Sequence, residues 1–129
     1  MLDTPAFDLE FATAADIAAA VKSGRISAQS VVEAALARIR NRDPLLNSFT
    51  AVTEKRALAR ARAIDKAHAD GKKLGPLAGV PFAVKNLFDV AGLPTIAGSK
   101  INREAPPATR DAAATRKRRR RSIARDSPW

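Results

Sequence analysis

The run Gly75-Pro76-Leu77-Ala78-Gly79-Val80-Pro81-Phe82-Ala83-Val84-Lys85-Asn86 is the stretch of this chain whose residue types and spacing suit chemistry rather than architecture. Turn-forming Gly and Pro residues precede a short apolar run, Val80 to Val84, which reads as a strand and ends in a single lysine. An apolar strand that ends in one cation can carry an amine into a site where loss of hydration favours its neutral form, and a neutral amine is a base. The alternative reading of the same residues is a solvated lysine at a strand end.

Few other groups compete for a chemical role. The chain has no Cys, so a disulfide framework, a thiol nucleophile and a thiolate metal site are all excluded. It has one histidine, His68, and no His/Asp/Glu set with metal-ligand spacing, so no metal or other cofactor is expected. His68 lies near the end of a charged helical stretch, where it reads as solvated or facing a helix C-terminus. The serines are Ser23, Ser27, Ser30, Ser48, Ser99, Ser122 and Ser127, and none of them lies in a Gly/Ser cluster. Ser27 and Ser30 read as helix-capping residues.

The elements that must position the lysine follow from local signals. Thr13 reads as an N-cap with Asp16 in the first turn, Ile17 and Val21 share one face, and Gly24 ends that helix. Ser27 caps a second helix with Val31, Val32, Ala35, Leu36 and Ile39 on its apolar side, and Asp43-Pro44 is expected to stop it. Asn47 to Val52, with Phe49, Thr50 and Val52, reads as a short strand. Thr53 caps a third helix running to about Asp70, with Gly71 beyond it and a thin stripe of Leu58, Ala61, Ile64 and Ala67. The strand leading to Lys85 comes next, and then a Gly/Pro-rich stretch to about Thr109. Helix, helix, strand, long helix and strand in that order fit the N-terminal portion of an α/β fold. With 129 residues, five Phe, one Trp and no Tyr, the chain is at most one domain with thin, Ala-rich helices.

The Gly75–Lys85 run resembles the block G-P-L-x-G-[VI]-P-[FIV]-x-[VI]-K of the amidase signature family, serine hydrolases that cleave amides with a Ser-cis-Ser-Lys triad. The resemblance continues through Asn86-Leu87-Phe88-Asp89-Val90-Ala91-Gly92 and Thr95-Ile96-Ala97-Gly98-Ser99-Lys100, and reaches back to Ser27–Ser30 and Asp43–Phe49. It covers roughly residues 10 to 113. It implies that Lys85 is the catalytic lysine, that the substrate is a small amide, and that these elements form one edge of a large mixed sheet with flanking helices. Asn86–Thr95 and Ile101-Asn102-Arg103 look closest to the carboxybiuret amidohydrolase branch, next to the amidase-type subunit of the glutamyl-tRNA amidotransferase. Relatives of both kinds imply a small helical partner subunit, with a homodimer as the other possibility. Ser99 matches a family position near the site, but its motif is not that of the nucleophile.

The family's two serines come from a Gly/Ser-rich block downstream of the lysine, and these 129 residues contain no such block. The expected division is therefore 1–112, the N-terminal part of an amidase signature domain, and 113–129, a basic tail. Beyond Ala112 the pattern gives way to Arg116-Lys117-Arg118-Arg119-Arg120-Arg121, which reads as a frameshift or early stop in a GC-rich gene. On that reading the chain is inactive alone, and poor solubility is expected of a sheet edge without its neighbours. The net charge of +10 is concentrated there: residues 110–129 hold eight Lys/Arg against two Asp, and residues 1–109 hold fifteen against eleven acids. The alternative function is a non-catalytic basic protein that binds nucleic acid through this tail by phosphate contacts. No aromatic residues interleave the basic run and no nucleic-acid-binding motif accompanies it, so that alternative ranks second. No basic-plus-apolar leader opens the chain, and no apolar run approaches the about 18 residues that span a bilayer. A cytoplasmic protein without membrane association is expected.

Overall fold

A computed structural model of the chain describes residues 7–112; the predicted basic tail, 113–129, lies outside them. The described residues fall into two compact units that part between Phe82 and Ala83. The first contains three helices, α1 (Ala14–Lys22), α2 (Ala28–Leu46) and α3 (Glu54–Ala69). Among the described residues there is no strand and no helix long and apolar enough to cross a membrane.

Each helix begins and ends where local chemistry stops or satisfies its backbone. At α1 the Thr13 hydroxyl accepts from the Asp16 N–H at 3.2 Å, while the Asp16 carboxylate accepts from the Thr13 N–H at 3.0 Å and from its hydroxyl at 2.6 Å. This reciprocal capping box matches the sequence expectation. The other end closes with Gly24 at φ 73°, where Gly24 N–H donates to Val21 and Arg25 N–H donates to Ala20. That pair of bonds, with a left-handed glycine between them, is a Schellman motif. The end of α3 repeats it: Gly71 has φ 68°, its N–H donates to His68, and Lys72 N–H donates to Ala67.

The start of α2 is closed by a residue far away in sequence. The Ser27 hydroxyl accepts from Ser30 N–H at 3.0 Å, as a capping serine should. The first two free donors, Ala28 N–H and Gln29 N–H, go to the two carboxylate oxygens of Asp65 on α3, at 2.7 and 3.0 Å. One anion from α3 thus answers the positive end of α2 and fixes the two helices against each other. A matching contact joins α3 to α1, where His68 Nε2 donates to the Lys22 carbonyl at 3.0 Å. His68 therefore faces a helix C-terminus, but that of α1 rather than of its own helix.

Between these clamps lies a small core. Ile17, Val21, Ala28, Val31, Val32, Leu36 and Ala61 are buried together, with Leu58, Ile64, Leu74 and Val80 packed against them. Ala28 and Ala61 let α2 and α3 come close, which is the thin packing that the alanine-rich composition predicts.

Three expectations are corrected. Pro44 does not stop α2: the helix runs on to Leu46, with Pro44 in its last turn. A proline there forfeits one N–H near the end of the helix, where few bonds remain to lose. The termination comes instead from Asn47, left-handed at φ 53°, and from the Asp43 carboxylate, which accepts from Ser48 N–H at 2.7 Å and Phe49 N–H at 3.3 Å. Thr53 stands at the N-cap of α3, but its side chain makes no capping bond. The two predicted strands, Asn47–Val52 and Val80–Val84, are irregular. A strand's backbone groups are satisfied only by a neighbour, and among the described residues neither segment has one.

The turn before Lys85 is docked onto α1. Ala78 N–H donates to Gly75 and Val80 N–H to Leu77, which makes two consecutive turns, and Lys22 Nζ donates to the Pro76 carbonyl at 3.1 Å. Gly79 is buried at φ 80°, and a Cβ built on it would lie 2.8 Å from Cγ2 of Val21 and 3.3 Å from Cβ of Ala28. Gly79→Ala should therefore lower stability by about 2–4 kcal/mol, from the left-handed conformation plus overpacking. Gly71→Ala, also left-handed but with nothing within 4 Å of the added carbon, should show only the conformational part. Urea unfolding of the two variants separates the contributions, and equal losses would contradict the packing argument. Asp65→Ala should cost about 1–3 kcal/mol in the same measurement, because it leaves two part-buried donors unanswered. A loss within experimental error would show that water replaces the carboxylate.

Hydrogen bonds from Thr13 hold the Asp16 carboxyl below its usual range. A group whose folded value is depressed stabilises the fold above the ordinary carboxylate range, and that contribution disappears as pH falls through the depressed value. Asp16→Asn should accordingly lower stability at neutral pH, with the wild-type and variant profiles converging as pH falls through the depressed value. Parallel acid limbs in wild type and variant would exclude the capping box as a source of pH dependence.

Candidate functional site around Lys85

Lys85 is the third residue of the second unit and lies on an exposed stretch of irregular chain. Its carbonyl accepts from Phe88 N–H at 3.1 Å, so the lysine opens a tight turn over Asn86 and Leu87. No residue from 83 to 112 is buried, and the Lys85 side chain has no ion pair or hydrogen bond among the described residues. The desolvation that would turn an amine into a base therefore has no source in the described residues.

The backbone beside the lysine, by contrast, is held firmly. Asn86 accepts twice from one turn: its carbonyl takes Ala97 N–H at 2.8 Å and its Oδ1 takes Ile96 N–H at 3.0 Å. The Ile96 carbonyl accepts from Ser99 N–H at 3.0 Å and from Asn102 Nδ2 at 3.1 Å. The central residues of this turn, Ala97 and Gly98, have φ of 49° and 74°. A turn with two left-handed central residues suits Gly and Asn, and an alanine there costs about 1–2 kcal/mol. Ala97 is held in that conformation by bonds on either side of it.

Further bonds tie the rest of the unit to this centre. The Thr95 hydroxyl donates to the Asp89 carboxylate at 2.6 Å, and the Asp89 carbonyl accepts from Ala112 N–H at 2.9 Å. Ala91 N–H donates to the Asp111 carboxylate at 2.9 Å, while Gly92 N–H donates to Ala108 and Ala108 N–H donates to Leu93, both at 2.9 Å. A five-residue 3-10 turn, Lys100–Glu104, follows Ser99. Residues 83–112 are thus a set of loops closed by backbone turns and polar side chains, with no strand among them.

Ser99 is half-buried, and its N–H is spent in the Ile96 turn. Ser27 and Ser30 sit at the start of α2 with their hydroxyls 2.8 Å apart, in the capping role read from sequence. No group of three or more His, Asp or Glu with the disposition to hold a metal ion occurs among the described residues. Sequence reasoning missed Asn86, Asp89 and Asn102 as scaffolding. Their signal was weak, since single Asn and Asp residues in a Gly/Pro-rich stretch read simply as loop.

Comparison with known proteins bears on what this arrangement serves. The profile of the Amidase family matches residues 30–123. AtzE, a 1-carboxybiuret hydrolase subunit of Pseudomonas sp. (strain ADP), is 56% identical over 97 residues, which are 75% of this chain and 21% of that protein. A glutamyl-tRNA(Gln) amidotransferase subunit of Streptomyces coelicolor is 52% identical over 89 residues, 69% of this chain and 18% of its own length. A solved structure, described as an unexpected vestigial protein complex revealing the evolutionary origins of an s-triazine catabolic enzyme, superposes with TM-score 0.79 at 50% identity. That superposition covers 84% of this chain and 24% of the other. A bacterial aryl acylamidase of the amidase signature family superposes with TM-score 0.71 at 35% identity, over 76% of this chain and 20% of its own. The chain spans about a fifth of the length of the curated relatives it matches. The matched region covers more than half of the chain and contains the run that ends in Lys85, and the chain belongs to the amidase signature family.

Proposed function

We propose that this chain supplies the lysine of an amide-hydrolysing site, with Lys85 as the base and a small carboxybiuret-like amide as the substrate. The observation that carries the reading is the Gly75–Lys85 run, with its lysine at the end, inside a region 56% identical to a 1-carboxybiuret hydrolase subunit. In such a site the neutral amine accepts a proton from one serine hydroxyl as that serine takes the proton of a second. The second serine's oxygen attacks the amide carbonyl carbon. The C–N bond then breaks, the leaving nitrogen receives the relayed proton, and water hydrolyses the acyl-serine. Backbone N–H donors stabilise the oxyanion formed on the way.

These 129 residues contain no Gly/Ser-rich block to provide the two serines, so both come from amidase polypeptide outside them. The same reading accounts for the irregular state of Val80–Val84. Its alternating apolar residues, and the backbone of 81–84 that has no ladder partner among the described residues, become a strand when a neighbouring strand supplies the ladder, and the mixed sheet of the family is then completed. Burial by that sheet provides the desolvation that Lys85 lacks here. The curated relatives are named as subunits, and a solved relative is described as a complex, which supports a partner subunit.

The test joins this chain to a Gly/Ser-rich amidase segment and follows hydrolysis of a small amide. Lys85→Ala should lower kcat by about a thousandfold or more, and Lys85→Arg should fail to restore it, since a guanidinium stays protonated. The 129-residue chain alone should be inactive. Turnover that survives Lys85→Ala would exclude the lysine from the mechanism.

A further inference from the structure

The exposed Lys85 side chain has no bond of its own among the described residues, so the direction in which it leaves the chain is set by the backbone on either side. The preceding residues, 80–84, are irregular. Immediately after it, Asn86 makes two bonds to consecutive N–H groups of a turn that lies ten and eleven residues further on. We infer that Asn86 is the positioning residue for Lys85, its carbonyl and side-chain oxygen together locking the backbone beside the lysine to the Ile96–Ser99 turn.

Three observations converge on that role. The two oxygens of Asn86 accept from consecutive N–H groups, the carbonyl from Ala97 at 2.8 Å and Oδ1 from Ile96 at 3.0 Å. The turn that receives Asn86 is itself fixed, by Ser99 N–H and Asn102 Nδ2 on the Ile96 carbonyl. Ala97 is held left-handed at the point of contact, a conformation that an alanine keeps only where its surroundings over-determine it. Strain of this kind, next to the residue with the chemical role, suits a site whose geometry must not drift. The role is positioning and not catalytic, since Asn86 acts through the backbone of its neighbour. The inference rests on the reading of Lys85 as an amide hydrolase's base.

The test uses two substitutions and two readouts. In the 129-residue chain, Asn86→Ala should raise the exchange rate of the Ile96 amide hydrogen about fivefold, while Asn86→Asp, which keeps an acceptor in place, should leave it protected. In the joined, amide-hydrolysing polypeptide, Asn86→Ala should lower kcat about 10- to 100-fold with KM within about twofold, and Asn86→Asp should recover most of the loss. Unchanged Ile96 exchange in Asn86→Ala overturns the inference, as does a kcat equal to wild type in that variant. If Lys85→Ala retains turnover, the functional reading falls by itself. Loss of Ile96 protection in Asn86→Ala then still supports the backbone lock beside residue 85.

Discussion

The missing side chain at Gly79 is the constraint on which the packing of the Gly75–Val80 turns against the helices depends. The backbone there runs left-handed against Val21 and Ala28, at a separation that no Cβ could occupy. That approach brings the Gly75–Val80 turns down on α1, where Lys22 reaches the Pro76 carbonyl and Val80 joins the core. A helical layer built from small residues thus holds the Gly75–Val80 turns in place. The glycine does this by shape, and the neighbouring valine, only 2% exposed, cannot move aside.

The layer beneath is stabilised less by bulk than by the closure of its helix ends. Its core among the described residues is made of alanines, valines and a few larger aliphatics, which bury little area per residue. Unanswered donors and acceptors at helix termini would cost as much as such a core provides. Asp65 answers the start of α2, His68 the end of α1, and two left-handed glycines close α1 and α3. The same economy governs residues 83–112, where Asn86, Asp89 and Asp111 replace sheet bonds that the described residues do not make.

What was legible in the sequence was what depends on near neighbours. Thr13 with Asp16, Ser27 with Ser30, and Gly24 and Gly71 after their helices all act within a few residues, and each took its expected place. The apolar faces of α2 and α3 were legible through their period. Pro44 misled because a rule about helix interiors was applied to a last turn. The two predicted strands carried strand-like residues, but a strand is completed by a partner, and pairing cannot be read from either segment alone. Asp65, His68 and Asn86 act across 37, 46 and 10 residues, a reach that local pattern does not reveal. The family, in contrast, was legible from the order of residues between Gly75 and Lys85, because that signal lies in residue order and not in contacts.

Membership in the amidase signature family gives the two units one explanation. Both units leave large apolar side chains exposed among the described residues, Phe11, Leu45 and Leu46 in the first and Leu87 and Phe88 in the second. The central claim is that Lys85 belongs to a site finished by serines outside these residues. The most direct measurement is a crystal structure of the chain joined to, or assembled with, a Gly/Ser-rich amidase segment. The account expects Val80–Val84 in a strand and Lys85 Nζ about 2.6–3.2 Å from a serine Oγ. An Nζ that remains in solvent, or pairs with a carboxylate while the serines are served by another base, would contradict it.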